Sequence, residues 1–373
     1  MRILQVSSAR SFGGGERHLA DLARGLEKRG HEIFAALARD SPLLRELDFL
    51  PQSNLLTFAP RNALDISAAL KLAGVAREKK MDVMHAHVAR DYVPAAFAAR
   101  RAPSARLVLT RHVLFPLSRV HRRSLSNVSR VIAVSEGVAR ALRGQHIFDE
   151  KKIRVVTNGV DVERFAEARR EFERARREDG RDAARGKFRV GIVGELSEVK
   201  GQEVFVRAAS VVREKLGDGV EFVIAGEDAT RTGEYRALVE RAVAELGLKN
   251  SLRLTGRCDD VARLLATLDV FVSASRTESF GMAMAEALAC GVPVVATATE
   301  GAREIVEDKL TGLMVPIGDS PAVAAAIISL LEDDGRRRSF GERAAESARE
   351  RFSLERMVGE TERVYAEAVG SRV

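Results

Sequence analysis

The chain has 373 residues, of which 46% are hydrophobic and 30% are charged, and its formal net charge is +7 at pH 7. This length exceeds what one hydrophobic core usually fills, so we expect two domains, and the composition excludes a disordered chain. Two cysteines without metal-ligand spacing exclude a disulfide framework and indicate a reducing compartment. The absence of tryptophan and of helix-turn-helix or zinc patterns argues against nucleic acid, so an anionic membrane surface is the favoured charged partner.

The first predicted elements are a strand, a glycine-rich turn and a helix. Residues 3–7 form a strand pattern without signal-peptide features, and no apolar run reaches the roughly 18 residues of a membrane span, so a cytoplasmic protein is expected. A helix is predicted over 16–29 because its apolar residues recur at i, i+3, i+4 and i+7. The turn contains Gly13, Gly14 and Gly15, which let a ligand approach the backbone. The turn does not match the glycine pattern of dinucleotide-binding proteins, and it does not identify a ligand by itself.

Strands and helices alternate through the rest of the first half. The predicted strands are at 82–86, 107–109, 131–134 and 153–156. This alternation implies a parallel sheet covered on both faces, whose ligands bind beyond the carboxyl ends of the strands. His87 and His112 lie at two of these ends. A histidine there is more often a hydrogen-bonded packing residue than a catalyst, so the residues alone leave both roles open.

The segment from residue 92 to residue 135 contains no Asp or Glu. Its eight arginines are Arg100, Arg101, Arg106, Arg111, Arg119, Arg122, Arg123 and Arg130. Leu114, Phe115, Leu117 and Val120 are interleaved with them, as in an amphipathic helix at a membrane interface. The alternative of equal weight is a basic surface helix whose apolar side faces the core.

The second half repeats the plan of the first. A strand at 189–193, the turn GELSEVKG with Glu195 and Lys200, and a helix at 201–216 correspond to the opening strand, turn and helix. Two halves that begin alike predict two similar Rossmann-like domains.

The predicted domain boundaries follow from charge and repetition. Residues 164–189 include ten basic and six acidic residues, which is typical of a solvated helix and linker. We therefore predict a first domain at 1–165, a charged linker at 166–187, a second domain at 188–350 and a C-terminal helix at 351–373.

The stretch from residue 273 to residue 297 has the strongest site pattern. A buried strand is followed by a polar loop with Glu278, a helix predicted to begin at 279–281, and a second strand. Glu286 occupies an otherwise apolar helical setting, where a carboxylate needs a partner or a ligand. The helix N-terminus offers N–H groups and a positive dipole end, which suit a phosphate. Together these groups suit a sugar nucleotide, whose diphosphate needs donors and whose hydroxyls need acceptors.

The string ESFGMAMAEALACGVPVVAT resembles the signature of the retaining glycosyltransferases of family 4, which have the GT-B fold. The segments MHAH, LTRH, VTNGVDVERF, GELSEVKG and LTGRCDDVARLL are similar to further parts of that family, so the resemblance covers nearly the entire chain. It implies an α/β fold of two facing Rossmann-like domains, with a cleft between them and a C-terminal helix that crosses back to the first domain. The first domain would be the acceptor side, and the second would bind the nucleotide sugar.

The resemblance also implies roles for residues of the second domain. Glu286 would accept hydrogen bonds from the ribose hydroxyls, and Glu278 would lie near the transferred sugar. Phe280 and Gly281 would bring backbone N–H groups to sugar and phosphate. The segment around Arg257 would hold the base through backbone atoms.

In the first domain, the resemblance assigns His112 to the donor sugar and places His87 on the cleft. Gly14 and Gly15 would close on the diphosphate from that side. With Lys200 and Glu278, the two histidines form the predicted catalytic set.

Lys200 is the natural cation for the departing diphosphate, because it is a compact charge next to a helix start. Glu195 departs from the family pattern, which has an arginine at this position. Either Arg10, Arg17 or Arg303 substitutes for the missing charge, or Glu195 points away. No D-x-D pair lies in a plausible loop, so we expect no metal, and no cofactor besides the nucleotide-sugar donor, for which a UDP-sugar is favoured.

The sequence therefore predicts a hexosyltransferase that transfers a sugar from a UDP- or GDP-sugar, with retention and by front-face attack. The expected acceptor is a glycolipid, lipopolysaccharide or other cell-envelope glycan, and the expected location is the inner face of the membrane. One alternative is a sugar-nucleotide epimerase on the same fold, which would consume its donor without an acceptor. The other is a non-catalytic nucleotide-sugar-binding protein, motivated by Glu195. The paired glutamates together with Lys200 favour transfer.

Overall fold

The computed structural model describes residues 1–62, 65–178, 187–228, 230 and 232–370. It contains two compact units, one formed by Met1–Gly159 with Leu354–Val373 and the other by Val160–Ser353. Each unit has one parallel sheet together with helices. The predicted α/β class with two Rossmann-like domains is thus confirmed.

The first unit opens as the sequence predicts, with strand, glycine turn and helix. Its strands are β1 (Arg2–Ser7), β2 (Glu32–Leu37), β3 (Leu55–Thr57), β4 (Val83–Ala86), β5 (Arg106–Arg111), β6 (Arg130–Ala133) and β7 (Ile153–Val155). Its helices before residue 160 are α1 (Gly14–Lys28), α2 (Leu43–Glu46), α3 (Ile66–Glu78), α4 (Tyr92–Arg101), α5 (His121–Ser124) and α6 (Glu136–Gln145).

The strand order of this sheet is β3-β2-β1-β4-β5-β6-β7. The paired strands β1 and β4 run parallel, with Ile3 opposite Val83. The direction of the strand order reverses between these two strands, and in open α/β sheets ligands bind at such a reversal, beyond the carboxyl ends. The glycine turn after β1 and the loop after β4 are therefore expected to line a site.

The second unit contains six strands and eight α-helices among the described residues. Its strands are β8 (Phe188–Val193), β9 (Val220–Ala225), β10 (Leu252–Gly256), β11 (Val270–Ser273), β12 (Val294–Thr297) and β13 (Gly312–Val315). Its helices are α7 (Val162–Glu178), α8 (Gln202–Leu216), α9 (Glu234–Glu245), α10 (Val261–Ala266), α11 (Met282–Ala289), α12 (Glu300–Ile305), α13 (Ser320–Leu331) and α14 (Asp334–Arg351).

The second sheet has the order β10-β9-β8-β11-β12-β13 and reverses between β8 and β11. These two strands are also parallel neighbours, with Val270 opposite Val190. The loops that follow them are the Lys200 turn and the Glu278 loop. The topology therefore brings together two loops that lie far apart in the sequence.

Short polar side chains fix where several helices begin. Asp65, Ser135, Asp260 and Thr299 each accept a hydrogen bond from a backbone N–H in the first turn of the helix that follows. Such N-caps satisfy donors that have no partner within the helix.

The last helix, α15 (Leu354–Val369), belongs to the first unit. Val358 packs closely against Gly25 of α1, where any larger residue would collide with it. Tyr365 is fully buried and hydrogen-bonds through its hydroxyl to His85, at 2.6 Å. Glu362 forms an ion pair with Arg29 at 2.9 Å.

The predicted linker over 166–187 is largely a helix of the second unit. Helix α7 runs to Glu178, with Phe165 buried at its start. Arg169 donates to the backbone carbonyls of Ala266 and Leu268, which ties α7 to the unit. The division between the units falls after Gly159, six residues before the predicted boundary. The remainder of the predicted linker, 179–186, lies outside the described residues.

The predicted amphipathic helix around Leu114, Phe115 and Leu117 is wrong. Residues 112–120 form no helix, and only the single turn α5 follows. Arg111 is buried and donates to the carbonyl of Phe115, which holds the chain in an irregular path. Within the described ranges, no helix has both the length and the apolar character to cross a membrane.

Candidate active site

The glycine turn of the first unit is anchored on both sides by polar contacts. Ser8, directly after β1, donates its N–H and its hydroxyl to the two carboxylate oxygens of Asp91, at 2.8 and 2.6 Å. Arg90 donates in turn to the Ser8 hydroxyl at 2.8 Å. Burial raises the pKa of Asp91. This network joins the ends of β1 and β4 across the point where the strand order reverses.

The turn itself ends at α1, which begins at Gly14 with Gly13 as its N-cap. The carboxylate of Glu16 accepts a hydrogen bond from the Gly13 N–H at 3.0 Å. Burial raises the pKa of Glu16, an effect that its backbone hydrogen bonds oppose. A side chain at Gly15 would lie 3.6 Å from the ring of His112, so the structure brings these two predicted residues together.

Four histidines meet near the carboxyl ends of β4 and β5, and one of them, His85, lies within β4. His85 and His87 have ring centroids 4.1 Å apart, His18 and His112 lie 4.9 Å apart, and His87 and His112 lie stacked at 5.8 Å. Two were predicted from strand ends. His18, on α1, was missed, because nothing in the helical pattern distinguishes it from an ordinary half-buried position.

The surroundings of these rings keep them neutral. Burial lowers the pKa of His18 to about 4, and burial together with neighbouring histidines lowers the pKa of His87 and His112 well below the ordinary value. His85 hydrogen-bonds through both ring nitrogens, to Tyr365 and to Thr110, at 2.6 Å each. One nitrogen from each of His18, His87 and His112 lies within 4.8 Å of the others, a spacing that could hold a metal ion.

In the second unit, Lys200 and Glu278 form an ion pair. The ammonium donates to the Glu278 carboxylate at 2.7 Å, with 31% of the lysine side chain and 14% of the glutamate side chain exposed. The Ser275 hydroxyl donates to the same carboxylate oxygen at 3.4 Å. Both residues were predicted for the site, but their direct pairing was not.

The Lys200 turn depends on glycines at its two ends. Gly194 and Gly201 have φ of +153° and +68°, and a side chain at Gly201 would collide with the carbonyl of Ala274. Glu195 is exposed, and its backbone carbonyl accepts a hydrogen bond from the Gln202 side chain at 2.9 Å. In the part of the chain that the structure describes, its carboxylate forms no ion pair. That Glu195 points away from the diphosphate stays a prediction.

The proposed substitutes for the missing arginine are engaged or exposed elsewhere. Arg10 pairs with Asp40 at 3.5 Å on the surface of the first unit. Arg17 lies over the ring of Phe12, and Arg303 is exposed on α12.

Helix α11 begins at Met282, slightly later than predicted, with Gly281 as its N-cap at φ +107°. A side chain at Gly281 would meet Met284, so this turn requires glycine. The Phe280 side chain is buried against Phe352, with ring centroids 5.7 Å apart. Only the backbone of Phe280 is therefore suited to a ligand.

Glu286 lies half-buried on α11, between the buried residues Ala285 and Ala287. One turn later, burial raises the pKa of Cys290 to about 12, which makes this thiol a packing group rather than a nucleophile.

Arg257 follows the edge strand β10, is 67% exposed and pairs with Asp259 at 3.3 Å. Unlike Lys200, Glu278 and Glu286, Arg257 does not follow β8 or β11.

The sequence matches two protein families. Glycosyl transferases group 1 matches residues 148–347, more than half of the chain, and Glycosyltransferase Family 4 matches residues 12–164. The chain belongs to the glycosyl transferases group 1 family. It is a glycosyltransferase, and the predicted family resemblance is confirmed.

Relatives of this glycosyltransferase extend over nearly its full length. The N-acetyl-alpha-D-glucosaminyl L-malate synthase of Bacillus anthracis is 28% identical and covers 95% of this chain and 94% of its own. The lipopolysaccharide core biosynthesis glycosyltransferase LpsE of Rhizobium meliloti is 27% identical, with coverages of 92% and 93%.

Solved structures show the same fold. The structure of Anabaena HepE in complex with UDP and glucose superposes with a TM-score of 0.83 at 24% identity, and covers 98% of this glycosyltransferase and 99% of HepE. A glycosyltransferase from Rickettsia africae superposes with a TM-score of 0.85 at 23% identity, covering 100% and 99%. These likenesses establish the GT-B fold class of the chain.

Proposed function

We propose that this glycosyltransferase transfers a sugar from a UDP- or GDP-sugar to a cell-envelope acceptor, with retention at the anomeric carbon and without a metal at the diphosphate. The observation that carries the proposal is the Lys200–Glu278 pair at the reversal of the second sheet, beside the first turn of α11. The HepE structure with UDP and glucose and the lipopolysaccharide role of LpsE support the donor and acceptor classes.

The second unit would hold the donor. Glu286 accepts hydrogen bonds from the ribose hydroxyls, and the backbone near Arg257 holds the base. The N–H groups at the start of α11 and the ammonium of Lys200 bind the diphosphate, because a helix N-terminus and a fixed cation both stabilise an anion. Glu278, freed in part from Lys200, accepts from the hydroxyls of the sugar.

In the transfer step, the bond between the anomeric carbon and the diphosphate oxygen breaks. The acceptor oxygen bonds to the same face of that carbon, and its proton moves to a diphosphate oxygen. Charge grows on the leaving group as the bond breaks, so Lys200 stabilises the transition state more than the bound donor. Two cations are usual in this family's pattern. Here Lys200 acts without the second, because Glu195 replaces it.

The first unit would serve the acceptor and the sugar. Gly14 and Gly15 offer backbone N–H groups at the start of α1, and His87 and His112 lie beside them. The same unit carries exposed Phe115 and Val120, at 69% and 76% exposure, near several exposed arginines. We include peripheral contact with an anionic membrane at its cytoplasmic face in the proposal, now through this irregular segment rather than through a helix.

The test begins with thermal unfolding in the presence of UDP-, GDP- and ADP-sugars, since a ligand that binds the folded state raises its melting temperature. The stabilising donor is then incubated with candidate lipid and saccharide acceptors, and the anomeric configuration of the product is read by NMR. Acceptor-dependent formation of a product with the donor's configuration supports the proposal. Donor consumption without acceptor indicates an epimerase, and donor binding without turnover indicates a binding protein.

A further inference from the structure

Three histidines of the first unit form a buried cluster whose ring nitrogens converge. We call His18, His87 and His112 the three-histidine cluster. In the described part of the chain, both ring nitrogens of His18 and His112 and Nδ1 of His87 are buried without a hydrogen-bond partner. Buried polar atoms are nearly always partnered in folded proteins, and exceptions call for an explanation such as an unseen ion.

We propose that the three-histidine cluster is a binding site for a divalent transition-metal ion of the zinc class. Imidazole nitrogen is a preferred ligand of Zn²⁺, Cu²⁺ and Ni²⁺, whereas Mg²⁺ and Ca²⁺ prefer oxygen. Three protein ligands with an open fourth position are a recurring arrangement for Zn²⁺. This inference goes beyond the proposed function, which places no metal in this unit, and it departs from the sequence-based expectation of no metal.

The tautomer of His87 is set in the way that metal ligation requires. Its Nε2 lies 2.8 Å from Oε1 of Gln5, while Nε2 of Gln5 donates to the Tyr365 hydroxyl at 3.3 Å. Since the Gln5 oxygen can only accept, His87 donates from Nε2 and keeps its lone pair on Nδ1. An outer hydrogen bond of this kind fixes the ring of most metal-binding histidines.

A second outer acceptor is available for His18. Asn158 lies close to His18 without meeting hydrogen-bond geometry, and its Oδ1 is also buried and unpartnered. A small shift would let the His18 N–H donate to this oxygen while its other nitrogen binds the ion.

The ring nitrogens of the cluster are farther apart than they would be around a bound ion. The three ligand nitrogens lie within 4.8 Å of one another, whereas three nitrogens at about 2.0–2.1 Å from a tetrahedral Zn²⁺ are roughly 3.3 Å apart. Binding therefore requires the rings to draw together by at most about 1.5 Å. Gly15 lies next to the ring of His112, and because it has no side chain it leaves space for that ring to rotate.

The experiment uses the full-length protein, stripped with a chelator and dialysed. Zn²⁺ is titrated in competition with a chromophoric chelator, and Co²⁺ is titrated while its visible absorption is recorded. We expect one equivalent of either ion per chain, and an intense Co²⁺ spectrum typical of tetrahedral coordination. Uptake of less than one Zn²⁺ equivalent, or a weak octahedral Co²⁺ spectrum, would overturn the proposal.

Variants assign the bound ion to the cluster. His18→Asn and His112→Asn should each lose Zn²⁺ affinity by more than the roughly 10- to 100-fold expected for the outer variant Gln5→Leu. The matched control is His146→Asn, an exposed histidine at φ +53°, a backbone conformation that asparagine tolerates. Wild-type affinity in the two cluster variants, or an equal loss in the control, would contradict the assignment.

Thermal unfolding separates ligand loss from misfolding. Zn²⁺ should raise the melting temperature of the wild type and of His146→Asn, and should leave that of His18→Asn unchanged. If a cluster variant does not fold, the Co²⁺ spectrum of the wild type decides alone. The donor affinity of Glu286→Ala tests the proposed function separately, because Glu286 lies in the other unit and outside the three-histidine cluster.

Discussion

Replacing Lys200 by alanine tests the chemical step most directly. The ammonium lies 2.7 Å from the Glu278 carboxylate, so in the free enzyme its charge is already partly neutralised, and its attraction to an incoming donor is reduced. Its side chain is also 31% exposed, which screens it further. We therefore expect donor binding to weaken by less than about tenfold, in line with the ~1 kcal/mol of a partly exposed pair.

Turnover should fall much further. The charge on the diphosphate grows as the glycosidic bond breaks, and removal of one group aimed at such charge costs about 10²–10³ in kcat, or ~2.7–4 kcal/mol. Lys200→Ala should thus lower kcat at least tenfold more than it raises the donor Kd. The matched control is Lys215→Ala, an exposed lysine near the end of α8, which should change neither quantity.

The assay combines donor Kd from calorimetry with kcat at saturating acceptor. Equal factors in Kd and kcat would refute the reasoning, since Lys200 would then serve ground-state binding only. Wild-type activity that survives EDTA but not Lys200→Ala supports a metal-free diphosphate site. Activity abolished by EDTA and restored by Mg²⁺ would refute it, and restoration by Zn²⁺ but not Mg²⁺ would direct attention to the three-histidine cluster instead.

Three further outcomes follow from the second unit and the basic segment. Glu286→Ala should raise the donor Kd about tenfold or more, because a charge-assisted hydrogen bond is worth ~1.5–3 kcal/mol; an unchanged Kd in a folded variant removes the residue from the site. Glu195→Arg should leave the melting temperature unchanged, because the side chain is exposed, and should leave kcat equal or higher; a clear loss of stability would show that the carboxylate is paired after all. Reversing the charge of Arg119, Arg122 and Arg123 to glutamate should reduce binding to anionic liposomes by orders of magnitude at low salt, at about 1 kcal/mol per basic residue, with donor Kd unchanged. Wild-type protein that ignores such liposomes would instead indicate a soluble acceptor.

The repeated strand, turn and helix could be predicted from the sequence because its signals are local. Buried parallel strands give continuous apolar runs, and the helix of Gly14–Lys28 has its buried residues on one face. The predicted C-terminal helix at 351–373 includes the observed final helix, Leu354–Val369.

Charge composition misled the prediction in two segments. Helix α7 has few buried residues, so its composition resembles a solvated linker, yet the contacts of Arg169 with two backbone carbonyls join it to the second unit. In the basic segment, Arg111 is buried and Arg130 pairs with Glu367 at 3.0 Å. A run of arginines therefore did not amount to one exposed face, because their partners come from distant parts of the chain.

The contacts within the candidate site depend on strand order, which no local pattern contains. Lys200 and Glu278 are 78 residues apart and meet because β8 and β11 are adjacent in the sheet. His18 meets His87 because β1 and β4 are adjacent, although it lies on a helix whose pattern marks it only as inward-facing. A sequence reading can place residues at strand ends but cannot say which ends are neighbours.

The predicted residues therefore differ in whether strand order supports their roles. Lys200 and Glu278 lie at the reversal of the second sheet, where open α/β sheets bind ligands, so their roles rest on topology as well as on family resemblance. Arg257 follows the edge strand β10 and pairs with exposed Asp259, so its role rests on resemblance alone. Because the base would be held there by backbone atoms, replacing the Arg257 side chain should matter far less than replacing Lys200.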